Sequence, residues 1–563
     1  MNQQRWTFSS IVKNSVILCG LILCVTCSAN SVFAQQQTLT VDDVQAIISQ
    51  AVSTAAALNQ KVTVAVTDHE GNVVGVFVMT GAPTTTLIRS VGANMRGLEG
   101  QSVPAAFAAI SKAGTGSLFG TSGNAFTTRT AGFIIQEHFP PGIDNRPGGP
   151  LYGVQFSSFL CSDVAVAGLP LGLSADPGGV PLYKNGIAVG GVGIEGDGLY
   201  TVDRDPRDED QPFEEVIAIS ASQNYAAPLL IRGDNILVEG IRFPYSNVDD
   251  PLVVSPMSFA SLPGVVSVPI RATRPSAFVP MTLNGVIGEV PTRFPIIAGS
   301  ALSAAEVQQI LGQAAFTANI TRAGIRQPLG SNARVSISVV DVDGKVLGIF
   351  RQADAPIFGF DVSAQKARTA AFLARPDAGA QLQAAGLGSY VARAAVDGIG
   401  LNGMIAFSDR GFGFLHRPLF PDGINDTDAG PFSSILEEWS PFNVGLQLDL
   451  IRPVTRLFPA GSLPPILKSS RSKNKVSEGG STGCTPIPGL RNGMQIFAGG
   501  IPLYRGSTLV GAIGISGDGI DQDDFIAAGG ANNFAAPREM RSDRIFVRGA
   551  RLPFIKIPAR PTL

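Results

Sequence analysis

The sequence predicts two diverged copies of one α/β domain. Each half of the chain begins with a capped amphipathic helix, continues with a β-hairpin that turns at an acidic residue and a glycine, and ends with a glycine-rich strand. The same features recur in the same order along 563 residues, more than one ordinary domain requires. Matches that keep their order through both halves indicate an internal repeat.

The first element of each copy is a helix with a capping box. Thr40 and Ser303 precede an acid by three residues, Asp43 and Glu306. In this arrangement the hydroxyl accepts from an amide that the helix leaves free, and the acid accepts from the amide of the cap residue. Apolar residues then recur at helical spacing, namely Val44, Ile47, Ile48 and Ala51 in the first copy and Val307, Ile310, Leu311 and Ala314 in the second.

A hairpin follows, with residues 64–77 aligned to residues 337–350. β-rich runs flank an acidic turn that closes at Gly71 and Gly344, because glycine takes a positive φ at little cost. Both hairpins continue to an Ala-Pro pair. The pattern predicts two adjacent strands in each copy.

The longest match is late in each copy and has no gap. Residues 181–198 align with residues 502–519, and each stretch contains a strand with closely spaced glycines. The run Gly190-Gly191-Val192-Gly193 superficially resembles a dinucleotide-binding loop. It lies inside a strand repeat, so we interpret it as close backbone packing.

Three segments fall outside the repeat. Residues 246–298 are rich in Pro, Ser and Val and are expected to be an ordered but irregular linker between copies at 35–245 and 299–563. Residues 468–483 form a Ser/Lys/Gly run that is typical of a mobile loop. The first copy also carries an insertion at roughly residues 87–110.

Residues 1–34 are expected to form a secretion signal. Arg5 and Lys13 precede an apolar run at residues 16–25, and Val32-Phe33-Ala34 places small residues where a signal peptidase reads them. A membrane anchor is the alternative, but the run is about half the roughly 20 residues that a spanning helix needs. We therefore expect a periplasmic or secreted protein with no stable anchor after cleavage.

The composition argues against a nucleic-acid partner. Charged residues make up 15% of the chain and the net charge is −2, whereas hydrophobic residues make up 45%. A nucleic-acid-binding protein would carry a basic patch.

Several of these residues together resemble the GlcG/HbpS family, also called the DUF336 or haem-degrading-type domain. The resemblance rests on the capped helix, the hairpin, a Lys-Ala-x-Thr helix at residues 112–115 and 366–369, and the Gly-Gly-Ile-Pro-Leu turn at residues 499–503. The second copy matches better, because the first has Gly114 and Gly116 in its lysine helix. The matching blocks cover much of residues 39–245 and 302–555.

The resemblance implies an antiparallel sheet flanked by helices in each copy, the two copies being related by a pseudo-twofold axis. It also implies assembly into homo-oligomers. Characterised relatives include extracellular haem-binding proteins linked to redox sensing and a domain appended to corrinoid adenosyltransferases. Haem is therefore the cofactor that the resemblance suggests, although a fold transfers better than a function.

The chain has three histidines, at His69, His138 and His416, and none forms a zinc-binding pair. Haem needs a single axial ligand. His138 and His416 lie in the same segment of the repeat, each before a Phe-Pro-x-Gly-Ile turn whose apolar groups could cover a porphyrin. Both are candidate ligands, and a loop histidine without a ligand is the alternative; His69, in a hairpin turn, is expected to be solvated.

The lysine helix supplies further cofactor-binding candidates. Lys112 and Lys366 could pair with a haem propionate, and the oxygens of Thr115 and Thr369 are weak iron ligands. Arg368 and Arg351 are additional propionate candidates. The alternative is packing at the helix with a solvated lysine.

Acidic residues near glycine recur in both copies and suit a hard cation such as calcium. The weak metal candidates are Asp197, Asp203, Asp205, Asp518, Asp521 and Asp523. They lack the full EF-hand pattern, and capping of the following segment is the alternative.

Cys161 and Cys484 remain after signal cleavage and lie at nearly matching places in the two copies. An oxidising compartment permits a disulfide between them. Two separate buried thiols are the alternative.

Three functions remain open at this stage. The first is an exported protein that binds haem or a related tetrapyrrole for scavenging, sensing or protection. The second is an enzyme that acts on a small aromatic or hydroxy-acid metabolite in the cleft between the copies. The third is an assembly module without a small ligand.

Overall fold

Two antiparallel sheets, one from each copy, form the framework of the protein. The computed structural model describes residues 37–90, 96–451 and 483–563. The expected secretion signal and nearly all of the Ser/Lys/Gly run lie outside the described residues. Residues 37–563 form one compact unit, and no helix within the described ranges is long and apolar enough to cross a membrane.

The sheet of the first copy has five strands in the order β10-β2-β1-β6-β5, with every neighbouring pair antiparallel. Its strands are β1 (Thr63–Asp68), β2 (Val73–Met79), β5 (Gly179–Lys184), β6 (Ile187–Glu195) and β10 (Gly264–Val268). Shorter strands lie beside it, namely β3 (Thr85–Ile88), β4 (Ser102–Pro104), β7 (Leu199–Tyr200), β8 (Leu237–Val238) and β9 (Ile241–Arg242).

The sheet of the second copy has six strands in the order β11-β12-β14-β13-β16-β15, again antiparallel throughout. Its strands are β11 (Phe278–Leu283), β12 (Val286–Pro291), β13 (Val335–Val340), β14 (Val346–Gln352), β15 (Gly500–Arg505) and β16 (Thr508–Gly517), and a small hairpin follows from β17 (Phe546–Val547) and β18 (Ala550–Arg551). The predicted α+β class with antiparallel sheets is confirmed. The pseudo-twofold axis stays a prediction.

The helices flank these sheets. The first copy has α1 (Val41–Ala57), α2 (Ala105–Phe119), α3 (Thr128–Phe133) and α4 (Phe213–Ala221). The second has α5 (Ala304–Ile320), α6 (Phe358–Leu373), α7 (Ala378–Ala384), α8 (Gly388–Val396), α9 (Asp409–Phe414), α10 (Leu446–Leu450) and α11 (Ile520–Gly530).

The repeat predicted from the sequence is present in local detail. Both capping boxes form, at Thr40 and at Ser303. The hairpins β1–β2 and β13–β14 share a register shift at the same repeat position, and their turn glycines have φ of 84° and 83°. The two copies therefore use the same turn chemistry.

The glycine-rich strands allow one helix to lie directly on each sheet. A Cβ at Gly191 would come within 2.1 Å of the carbonyl oxygen of Ala113 in α2, and one at Gly514 within 2.0 Å of the oxygen of Ser363 in α6. No side chain fits such a gap. The prediction of close backbone packing is confirmed, and the lysine helix of each copy is the helix that it positions.

The connector between the copies differs from its prediction. Residues 246–298 were expected to be irregular, but they contribute β10 to the first sheet and the β11–β12 hairpin to the second. Valine-rich runs satisfy their backbone groups by adding to a sheet edge. The connector therefore extends both sheets.

The second copy has a helical insertion that the repeat comparison missed. Thr115 and Thr127 in the first copy correspond to Thr369 and Ser408 in the second. The longer interval in the second copy holds α7 and α8, whose apolar residues join the core of that copy.

Candidate functional site

A cleft between the two copies is a large concave surface with an apolar floor. It encloses about 400 Å³ and takes lining residues from both copies. We call it the inter-copy cleft. Ligand sites are typically concave and apolar with a few placed polar groups, so this cleft is the candidate site.

The floor of the inter-copy cleft is aromatic and aliphatic. It is formed by Phe119, Phe126, Ile134, Phe139, Leu151, Val238, Ile241, Phe243, Ile325 and Phe358. Several of the rings contact one another edge-on, such as Phe126 and Phe139 with Phe243 at centroid separations of 5.7 and 6.1 Å. A floor of this kind favours a flat apolar ligand.

The rim carries more basic than acidic groups. The basic side chains are Arg146, Arg410, Arg417 and Lys556, and the acidic ones are Glu239, Asp422 and Asp521. Arg410 bonds to Asp521 and Asp524, and Lys556 lies 2.9 Å from Asp521. Arg410 and Lys556 are thus paired with carboxylates, and Arg417 also lies within ion-pair distance of one, Asp422.

Arg417 retains unused hydrogen-bond donors. Its guanidinium lies over the ring of Tyr152 at 4.5 Å, and its Nε is 3.5 Å from Asp422 Oδ2. Nε and Nη1 are buried and make no hydrogen bond to any described group. Since a buried donor without a partner is costly, Arg417 is suited to receive an anionic oxygen from a ligand.

His138 adjoins the cleft. Its neighbour Phe139 lines the floor, and its Nδ1 lies 2.7 Å from the backbone oxygen of Arg146 on the rim. Because a carbonyl only accepts, Nδ1 carries the proton and Nε2 has a free lone pair. Nε2 makes no hydrogen bond within the described ranges. A hydrogen bond from the other ring nitrogen orients metal-binding histidines in the same way.

His416 and His69 lie in different surroundings. His416 is fully buried between Phe412 and Phe432, with ring centroids 4.4 and 5.3 Å away. Burial lowers its pKa to about 3, so it stays neutral and packs in the core, which leaves no room for a porphyrin. His69 was expected to be solvated but is half-buried, and burial lowers its pKa to about 4.

Lys112 occupies a buried cage of carboxylates. Its Nζ lies 2.8 Å from Asp176, 3.1 Å from Glu195 and 2.5 Å from Glu214, and all four side chains are at most 4% exposed. The ligand atoms of the three acids are close enough to hold a metal ion, but the ammonium group occupies that place. The predicted pairing of Lys112 with a propionate is therefore not supported.

The cage has an excess of negative charge. Burial raises the pKa of Asp176 to about 8, partly offset by Lys112 and reinforced by Glu195. Burial likewise raises the pKa of Glu195 and Glu214. The pKa of Lys112 rises in turn, because the attraction of the acids outweighs its own burial, so Lys112 stays charged while the carboxylates share protons.

Lys366 is buried at the equivalent place with fewer acids. Its Nζ donates to Asp523 at 2.9 Å and to the backbone oxygen of Ile515 at 2.7 Å, and it lies 4.4 Å from the ring centre of Phe497. Asp409 is nearby, and burial raises its pKa well above the usual range. Two of the three ammonium donors of Lys366 are thus engaged inside the protein, and its side chain is fully buried away from the inter-copy cleft lining.

The two threonines and Arg368 are engaged inside the protein. Thr115 and Thr369 each donate to a backbone oxygen one helical turn earlier and accept from a backbone amide of Ser174 or Gln495. Arg368 binds Asp163 at 2.7 and 2.8 Å. None of the three lines the inter-copy cleft, because the threonines tie the lysine helix to its own copy and Arg368 binds an acid of the other copy.

Arg351 is also occupied, by Glu289 and by the backbone oxygen of Ala355.

The predicted calcium candidates are also neutralised locally. Asp518 accepts from Arg326 and from the amide of Arg334, Asp521 pairs with Arg410 and Lys556, and Asp523 pairs with Lys366.

In the first copy, Asp203 binds Arg129, Asp205 binds Arg207, and Asp197 caps the amide of Leu199. Asp197 thus matches the capping alternative, and the other candidates are paired with basic side chains. Asp203 also groups with Asp208 and Asp210 at a spacing that could hold a metal ion, so a cation at this place stays a prediction.

Cys161 and Cys484 are joined by a disulfide with a Cα–Cα distance of 5.0 Å. The bond links the first copy to the segment of the second copy that precedes β15 in the chain. It stands beside the Arg368–Asp163 ion pair as a second connection between the copies.

Sequence reasoning missed most of the cleft. Phe139 was noted as a cover for a porphyrin, but Arg417 and Phe243 gave no signal because neither stands in a motif. The only available hint was that Arg417 directly follows the candidate His416. These residues converge through the contact between the copies, which no local pattern encodes.

Comparison with known proteins agrees with the resemblance in the sequence. A family model described as haem degrading protein HbpS-like matches residues 468–532. The matched segment lies in the second copy and supports a relationship of that part of the chain to the GlcG/HbpS (DUF336) family. No curated protein matches the chain by sequence.

Two solved structures are similar to part of the chain. The crystal structure of a PduOC:Heme complex is 20% identical and covers 33% of this chain and 95% of that one, with a TM-score of 0.22. The crystal structure of Klebsiella pneumoniae protein ORFY, of DUF336, is 18% identical and covers 34% of this chain and 94% of that one, with a TM-score of 0.20. Function therefore has to be argued from the cleft.

Proposed function

We propose that this protein binds haem or a related tetrapyrrole in the inter-copy cleft. The observation that carries the proposal is the aromatic floor combined with Arg417, whose buried Nε and Nη1 have no hydrogen-bond partner. A porphyrin is flat and apolar and has carboxylates at one edge. The floor matches its faces, and the guanidinium matches a propionate through charge-assisted hydrogen bonds.

His138 is the residue proposed to hold the iron. Its Nδ1–H donates to the oxygen of Arg146, which orients the ring and leaves Nε2 unprotonated. Bound haem would supply an iron centre that takes one axial imidazole. The chain's own contribution is the orientation of that imidazole and the apolar cover from Phe139 and Phe243.

The proposal includes export. A disulfide between Cys161 and Cys484 suits an oxidising compartment, and the basic and apolar start of the chain is typical of a signal. A periplasmic or secreted haem-binding protein would serve scavenging, sensing or protection.

The test is a titration of the purified full chain with hemin, followed by the Soret band. Wild type is expected to give a saturable shift. Arg417→Gln is expected to weaken binding by about tenfold or more, since a hydrogen bond to a charged group contributes roughly 1.5–3 kcal/mol. Arg505→Gln, an exposed arginine paired with Glu306 outside the cleft, is the matched control and should bind as wild type does.

His138→Ala tests the axial ligand separately. The Soret maximum and the spin-state bands should change, whereas His69→Gln should leave both unchanged. Equal spectra for His138→Ala and wild type would remove His138 from the proposal. The absence of a saturable shift in wild type would contradict haem binding as a whole.

A smaller aromatic carboxylate is the second candidate ligand, because Arg417 would recognise any carboxylate above the same floor. An enzyme that acts on such a metabolite would bind it in the inter-copy cleft without a Soret shift. Protection of the protein against thermal unfolding by aromatic acids, lost in Arg417→Gln, would favour this function over haem.

A further inference from the structure

The inter-copy cleft has a counterpart in the second copy, defined by the repeat. The first-copy floor residues Phe126, Ile134, Phe139, Val238 and Phe243 correspond in order to Phe407, Leu415, Phe420, Val547 and Leu552. Each pair has the same or a similar apolar side chain. The second copy thus retains the composition of a binding floor.

Four of the five first-copy residues are themselves at most 6% exposed, but all five line the inter-copy cleft. In the second copy the corresponding residues do not line it. All five are buried in one core that also contains residues of the α7–α8 insertion. The insertion residues in that core are Ala378, Leu382, Leu387, Tyr390, Ala394, Ile399 and Leu401. The pair Val238 and Val547 shows the difference directly, since Val238 is half-buried and lines the cleft whereas Val547 is 0% exposed.

The insertion is fixed in place by charged and polar contacts. Arg548, in the β17–β18 turn, binds both oxygens of Asp397 at 2.9 and 2.8 Å, directly after α8. Its counterpart in the first copy is Glu239, which lies on the rim of the cleft and has a side chain that is 64% exposed. The equivalent hairpin therefore borders the inter-copy cleft in the first copy and binds the insertion in the second.

Two further bonds hold α8. Tyr390 donates from its hydroxyl to Asp449 at 2.5 Å, and Arg393 donates to the backbone oxygen of Ser433 at 2.6 Å. A ligand that entered the second copy would have to break these bonds and expose the apolar side chains of the insertion to water.

We infer that the α7–α8 insertion fills, in the second copy, the space that a ligand takes in the first, so that the duplicated chain has one ligand site. This inference rests on the inter-copy cleft proposed above as the ligand site. The second copy then has no ligand site of its own and contributes one wall of the inter-copy cleft, including Arg417.

Thiol labelling tests the inference without any ligand. Val238→Cys and Val547→Cys place the same side chain at equivalent positions, and native labelling is read for each peptide by mass spectrometry. Val238→Cys is expected to react at least roughly tenfold faster, because Val547→Cys reacts only after local opening. Comparable rates in the native protein would overturn the inference.

A variant that loosens the insertion provides a second test. Tyr390→Ala removes a core side chain and the bond to Asp449, and it should speed the labelling of Val547→Cys while leaving Val238→Cys unchanged. An equal effect on both positions would mean that the insertion does not close the second copy selectively.

Binding stoichiometry on the unmodified chain completes the test. One hemin per chain supports the inference, and two per chain would overturn it while leaving haem binding intact. If hemin does not bind but the two cysteines still label unequally, the result contradicts the proposed function. The inference that the insertion closes the second copy would remain supported.

Discussion

Two lysines at equivalent repeat positions are buried with different partners. Lys112 is surrounded by Asp176, Glu195 and Glu214, whereas the positions of Asp176 and Glu195 are taken in the second copy by Phe497 and Ser516. Each lysine anchors its helix against its own sheet. The sequence marked these lysines as ligand candidates, with helix packing and a solvated lysine as the alternative. Neither interpretation anticipated that both lysines are fully buried, because a motif does not reveal burial.

The Lys112 cage predicts a pH dependence of stability. Burial raises the pKa of Asp176 from its ordinary value of 3.8 to about 8, so between these values the folded state binds more protons than the unfolded state. This group's contribution to the free energy of unfolding is therefore fully present below about pH 3.8 and is lost as the pH rises toward about 8.

Asp176→Asn should flatten the fall in stability between about pH 5 and pH 8, as measured by urea unfolding at a series of pH values. Asp205→Asn, at a solvent-exposed acid, is the control and should keep the wild-type slope. A wild-type slope in Asp176→Asn would show that Asp176 does not hold the extra proton.

At the scale of elements, the glycines of β6 and β16 determine how closely α2 and α6 approach the sheets. A Cβ at Gly514 would lie 2.0 Å from the oxygen of Ser363 and 2.5 Å from the amide of Ala367. Both atoms belong to the backbone of α6, so neither can rotate away. The contact therefore tolerates no larger residue without movement of the helix.

Gly514→Ala is expected to lower the free energy of unfolding by about 1–3 kcal/mol through overpacking, as measured by chemical denaturation. Gly388→Ala, at the start of α8 where the new methyl group meets only ordinary contacts at 3.5 Å or more, should be neutral or slightly stabilising. Equal effects of the two substitutions would contradict close packing as the cause.

At the scale of the whole molecule, the two copies are held together by more than the chain connection. The disulfide from Cys161 to Cys484 spans a sequence separation of 323 residues. A bond that closes a long loop restricts the unfolded chain strongly. It also joins a segment of the first copy directly to a segment of the second.

Replacement of both cysteines by serine should cost about 2–5 kcal/mol of stability and lower the thermal midpoint. A reducing agent should destabilise wild type to a similar extent and leave the double variant unchanged. If the reductant also lowered the midpoint of the double variant, the effect could not be assigned to this bond.

The sequence by itself determined the repeat, the two capping boxes, the paired hairpins and the close helix–strand packing. These features follow from local patterns, because caps, turns and glycine spacings act over a few residues. Only the tertiary structure decided where a ligand could bind. The cleft combines Phe139 and Phe243 of the first copy with Arg417 of the second. In the second copy the equivalent apolar residues are covered by the α7–α8 insertion. The open cleft and the covered floor both depend on long-range packing, which no short pattern records.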